Sequence, residues 1–144
     1  MPDAGHDLMI YSPTKACTVY GDVGGRGGHL IVVCNDPVMY KGDFGEWEAI
    51  LTVNITSWHN TKNDDSTCIL DKGDHSFIKH KSFVYYRYAV PTRSIPFSEK
   101  IENGELVPME ILSPLVFQRI LNGFEISPYT PINALRFYRR FIKV

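Results

Sequence analysis

The chain has 144 residues, 44% of them apolar, and a formal net charge of -1 at pH 7. That length and apolar content suit one hydrophobic core, exclude a disordered chain and leave little room for two independent domains. Near neutrality excludes bulk, sequence-blind binding of polyanions, so any nucleic-acid site must be focal.

Residues 1–15 read as a polar lead-in around the apolar patch Leu8-Met9-Ile10-Tyr11, ending at Ser12-Pro13. With Asp3, His6 and Asp7 they lack the basic-then-apolar order of a signal peptide, and no apolar run is long enough for a bilayer span. A soluble, cytoplasmic protein with no membrane partner is the expectation. Cys17, Cys34 and Cys68, odd in number and without a Cys-x-x-Cys step, predict reduced and mostly buried thiols rather than a disulfide framework or a zinc site.

The body begins near Ala16. Cys17-Thr18-Val19-Tyr20 is a short strand, followed by a glycine-rich loop over 21–28 that carries Arg26. The unbroken apolar run His29-Leu30-Ile31-Val32-Val33-Cys34 predicts a strand buried on both faces, stopped by Asn35-Asp36-Pro37. From Glu48 to Trp58 the pattern alternates: Ala49, Leu51, Val53 and Ile55 face a core, and Thr52, Asn54, Thr56 and Trp58 form a functional or solvated face. Cys68-Ile69-Leu70 is a short strand, 71–74 a turn, and Phe83 to Val90 a strand stopped by Pro91.

After Leu106 the period moves towards 3.6. Ser113-Pro114 and Gly123 bracket a helix over 114–122, and Thr130-Pro131 starts a second that reaches about residue 143. The last helix sets Ala134, Leu135, Tyr138, Phe141 and Ile142 against Arg136, Arg139, Arg140 and Lys143 on its other side. The fold expected is mainly β with added helices (α+β): a small curled barrel or sheet over 16–107, with a helical appendage over 108–144.

Three stretches carry a resemblance to a known family. They are Gly28 to Pro37 after the glycine-rich loop, Leu51-Thr52-Val53-Asn54-Ile55-Thr56-Ser57, and Gly73 to Ile78 with Ser82 to Arg87 downstream. Over about residues 16–90 the order of these pieces resembles the PemK/MazF-like toxins of bacterial toxin-antitoxin modules. The resemblance implies an SH3-like curled β-barrel with C-terminal helices, a homodimer, metal-independent endoribonuclease activity on single-stranded RNA, no cofactor, and a cognate antitoxin protein as partner. It assigns catalytic roles to an arginine, carried here by Arg26, and to a hydroxyl at the end of the third strand, carried by Thr56 or Ser57. Leu30 stands where many relatives have that arginine.

The residues themselves point the same way. Metal-free RNA cleavage needs a base for the 2′-hydroxyl, an acid for the 5′-oxygen and a cation for the phosphorane. Residues 74–87 gather His75, Lys79, His80, Lys81, Ser82, Tyr85 and Arg87 in one turn and strand. His75 or His80 is placed to move protons, with His75 packed against the barrel as the alternative. Arg87, on the face of Phe83 and Tyr85 by period two, is suited either to a scissile phosphate or to stacking on an aromatic ring. Lys79, His80, Ser82, Tyr85, Trp58 and the stripe Arg136, Arg139 and Arg140 are the expected RNA contacts, the stripe being otherwise a solvated face or a surface for an acidic partner. A non-catalytic nucleic-acid or protein-binding module of the same fold, or a phage or mobile-element inhibitor of a host factor, is the alternative to the enzyme.

Overall fold

The computed structural model describes residues 13–22, 25, 27–42 and 44–144. Arg26 and the lead-in up to Ser12 lie outside the described residues. The elements are β1 (Thr18–Gly21), β2 (His29–Val33), β3 (Val38–Gly42), β4 (Gly45–Ser57), β5 (Ile69–Leu70), β6 (Ser82–Arg93), α1 (Ser94–Glu102), β7 (Val107–Pro108), α2 (Pro114–Asn122) and α3 (Ile132–Phe141). The strands form one antiparallel sheet in the order β5-β6-β4-β2-β1-β7, with β3 hairpinned onto β4. β2 and β3 share one edge of β4, and the sheet curls around that long central strand.

Alternation along β2 sends Leu30, Val32 and the following Cys34 to one apolar cluster and Ile31 and Val33 to another, so the strand is buried on both faces as its uniform run predicts. The larger cluster joins the even positions of β2 to Ala49, Leu51, Val53 and Ile55 of β4 and to α2 and α3. The smaller one is closed by Phe97 and Ile101 of α1. Residues 108–144, expected as an appendage, therefore complete the main core: Ile120, Phe124 and Phe137 are at most 1% exposed within it. Over its middle the second face of β4 is also covered, with Ile50, Thr52 and Asn54 buried, and it opens at both ends, at Glu46 and Glu48 and from Thr56 onward.

Two sequence expectations are corrected along β6. The strand runs through Pro91 to Arg93. Leu51, which faces Pro91, turns its N–H to Asn35 Oδ1 at 2.7 Å and its C=O to the Cys34 N–H at 2.9 Å, both away from β6. The pair thus has no ladder bonds to lose, and a residue without an N–H fits there. The register also breaks: Thr52 faces Val90 but Asn54 faces Tyr85, so Tyr86 to Ala89 stand opposite the single residue Val53. Period two holds as far as Tyr86, which joins Val84 in the core, and fails in the rest of the bulge, where Ala89 is turned to that same core. Tyr85 meets both Phe83 at 5.2 Å and Tyr88 at 4.7 Å between ring centroids.

The helices follow their punctuation. Ser113 caps α2 by accepting the Val116 N–H, and Pro114 is its first residue. On α3, Ala134, Phe137 and Tyr138 are buried and Leu135 is half-buried, while the basic side chains stay outside. Cys17, Cys34 and Cys68 are all buried, and burial pushes the Cys34 and Cys68 thiols up from their ordinary pKa.

Tyr86 fixes α2 to the sheet. Its ring is fully buried against Phe124, and its hydroxyl donates to the Ile120 carbonyl at 2.6 Å. Gly123 lies against that ring so closely that a Cβ there would come within 2.8 Å of Cε2 and nearer still to the hydroxyl. Gly123→Ala should therefore lower the unfolding free energy by about 1–3 kcal/mol through overpacking. Chemical denaturation should show non-additivity: the Tyr86→Phe background removes the closest clashing atom, and the alanine then costs less. Equal costs in both backgrounds would contradict the packing described.

Candidate functional site

A groove of about 240 Å³ opens at one end of the sheet, where β1 ends, β2 begins, β4 ends and β6 begins. Register brings these ends together: Gly21 faces His29, Leu30 faces Ile55, and Ser57 faces Ser82. Leu30, Ile55 and Ile78, at most 5% exposed, make an apolar floor. Tyr20 and Phe77, each more than a third exposed, form one wall with ring centroids 4.9 Å apart. Gly28 permits this wall, since a Cβ there would lie 3.0 Å from Tyr20 Cε2 and closer to its hydroxyl.

The polar side of the groove is carried by β4 and the loop before β6. His80 Nε2 and Ser57 Oγ are hydrogen-bonded at 2.8 Å. The Ser82 hydroxyl donates to the His80 carbonyl at 2.9 Å, which holds the backbone that presents the ring. His80 and Lys79 are exposed, and His29 and Thr56 stand half-buried on the lining. Two imidazoles, a primary ammonium and the hydroxyls of Thr56, Ser57 and Ser82 thus converge above an apolar floor beside two aromatic planes. That combination can bind a phosphodiester, stack a base and transfer protons.

His75 is placed elsewhere. It is 3% exposed, its Nδ1 accepts the Phe77 N–H at 3.0 Å, and its Nε2 lies 2.7 Å from the Glu110 carbonyl and 3.1 Å from the Thr18 hydroxyl. An acceptor Nδ1 puts the ring proton on Nε2, as assigned from this network, where it donates to the carbonyl. Both nitrogens are engaged in holding the loop to the sheet, and the ring does not line the groove. Asp74 likewise serves the turn, accepting the Asp71 N–H at 2.8 Å and pairing with Arg119 of α2 at 3.4 Å.

The remaining expected contacts divide. Lys79, His80, Ser82 and Thr56 meet in the groove. Trp58 stands beside it, edge-on to Phe83 and with one face under Lys81 Nζ at 4.2 Å. Arg87 lies over the Tyr129 ring at 4.5 Å and is not among the residues that line the groove. Arg139 and Lys143 of the basic stripe are each 3.0 Å from a Glu125 oxygen, and their hydrogen bonds hold that carboxyl below the usual range. Arg140 rests on Phe141, and Arg136 stays exposed. Tyr20, His29 and Phe77 were not expected as site residues; the join of Gly28-His29 to a strand was their only local signal. Among the described residues no group of three His, Cys, Asp or Glu is placed to hold a metal, and no helix is long and apolar enough to cross a membrane.

Compared with known proteins, the chain matches no family model and no curated protein.

The two histidines should separate in stability measurements. His75→Ala removes a buried ring together with its hydrogen bonds to the Phe77 N–H and the Glu110 carbonyl and should cost about 1–3 kcal/mol. His80→Ala removes an exposed ring and should stay within about 0.5 kcal/mol of the parent. Urea titrations of both variants check this, and a larger loss from His80→Ala would reverse the assignment.

Proposed function

We propose that the protein is a metal-independent endoribonuclease of single-stranded RNA, built on the SH3-like barrel plan of the PemK/MazF-like toxins and restrained by an antitoxin. The observation that carries this reading is the Ser57–His80 hydrogen bond inside a groove that also holds His29, Lys79 and the Tyr20–Phe77 wall. A base of the RNA stacks on that wall and the adjacent phosphate lies over Lys79 and the hydroxyls. One imidazole takes the proton of the 2′-hydroxyl, whose oxygen attacks phosphorus. The other protonates the departing 5′-oxygen as its bond to phosphorus breaks, leaving a 2′,3′-cyclic phosphate and a free 5′-hydroxyl. Lys79 offsets charge on the phosphorane, and Ser57 orients His80.

This reading moves proton transfer from His75 to His80 and His29, and gives Arg87 no step. Homodimerisation, a cytoplasmic setting and an antitoxin segment that covers the groove belong to the same proposal. One observation favours the non-catalytic binding module: Leu30, at the position where many relatives carry arginine, is 2% exposed in the floor and offers no charge.

Cleavage assays separate the two. The purified protein should cut a single-stranded RNA in excess chelator and leave cyclic phosphate ends detectable by mass spectrometry. His80→Ala should reduce the rate by about a hundredfold or more, the usual scale for a general acid or base. RNA retained uncut by the parent protein would establish the binding module instead.

A further inference from the structure

A second, larger cleft lies away from the groove, between the β3–β4 hairpin, the bulged part of β6 and the start of α3, with a volume of about 770 Å³. Its walls combine three aromatic rings with two guanidinium groups. Tyr40 meets Trp47 edge-on at 5.0 Å, and Tyr88 faces the same space from β6. Gly42 makes room for the Trp47 ring, because a Cβ there would lie 2.7 Å from Nε1. Arg87 lies over Tyr129, its guanidinium carbon 4.5 Å from the ring centroid, and Arg136 belongs to the second turn of α3.

Among the described residues this charge is unanswered. The ion pairs among the described residues engage Arg119, Arg139 and Lys143, leaving Arg87 and Arg136 without a carboxylate. No acidic side chain is among the described residues that line the cleft. Lys41 also reaches it but faces Glu46 across the hairpin, and Arg93, outside the lining, lies over the Trp47 ring at 4.8 Å and leaves that ring one face at most, so Arg87 and Arg136 are the distinguishing cations. Contact with the Tyr129 ring restrains Arg87 before anything binds, and its planar fork suits a tetrahedral oxyanion.

We propose that this cleft binds a nucleotide unit, with its phosphate on Arg87 and Arg136 and its base against Trp47 and Tyr88. An acidic peptide would use the cations and leave the ring faces idle; an apolar segment would cover the rings and bury two unpaired charges. A planar base joined to a phosphate uses both, and the volume falls within the range of small-molecule sites. The unit is either a free nucleotide or one residue of a single strand. The inference is independent of cleavage in the groove, because it concerns binding at a separate place.

The chain has two tryptophans, so Trp58→Phe leaves Trp47 as the sole fluorescent reporter. Titrating that protein with adenosine 5′-monophosphate should give saturable quenching of Trp47. Adenosine and inorganic phosphate, each lacking one half of the ligand, should bind at least tenfold more weakly. Arg87→Gln and Arg136→Gln, each made singly in this background and checked by circular dichroism, should each weaken the nucleotide at least fivefold. A short oligodeoxyadenylate, which lacks the attacking hydroxyl, distinguishes the source: binding at least tenfold tighter than the mononucleotide indicates a strand, and equal binding indicates a free nucleotide. Absence of saturable quenching by both, unchanged affinity in the two arginine variants, or equal binding of a polyglutamate peptide would overturn the proposal.

Discussion

The bulge between β4 and β6 is the constraint on which the rest of the molecule depends. Four residues of β6 occupy the space of one residue of β4, and strict alternation is lost among them. Tyr86 turns inward and anchors α2 through the Ile120 carbonyl. Arg87 turns outward onto Tyr129, ahead of α3. The segment before the bulge frames the groove at Ser82, and the segment after it continues through Pro91 into α1. A strand in perfect register would alternate strictly and could not both seat Tyr86 in the core and keep Tyr85 beside Tyr88.

What the sequence made legible was local. α2 announced itself through Ser113, Pro114 and Gly123 because caps act on neighbouring backbone groups, and β2 through a run with no polar interruption. α1 was missed because it starts without a side-chain cap, carries Pro96 in its first turn and has a single i,i+4 apolar pair, Phe97 and Ile101, with the apolar Ile95 off that face and exposed. β3 was missed because its residues are no more than half-buried and its partner segment, Gly45 to Glu48, is mostly polar. The curled sheet and its helices were therefore foreseeable, and the second helical cover was not.

The candidate site shows the same limit more sharply. His75 and His80 are five positions apart with similar neighbours, yet one is a buried clasp and the other an exposed ring. What separates them is Thr18 and Glu110, distant by 57 and 35 residues, and no local pattern reports such partners. The basic stripe of α3 was legible as a stripe, but its counter-ion was not: Glu125 sits in the connection before the helix and pairs with both Arg139 and Lys143. Periodicity reveals which side chains share a face and is silent about what comes to meet them.

The three buried thiols have a consequence for how the molecule opens. A thiolate is the reactive species, and burial both raises the pKa and blocks approach, so modification requires the surrounding structure to part. Cys34 follows β2 and donates its N–H to Leu51 in the middle of the sheet, whereas Cys68 precedes the two-residue β5 at the sheet's edge. Edge strands separate at lower free energy than central ones. Exchange with a small disulfide reagent would then label Cys68 during partial opening and Cys34 only when the whole sheet comes apart, so the chain carries its own pair of clocks for local and global unfolding.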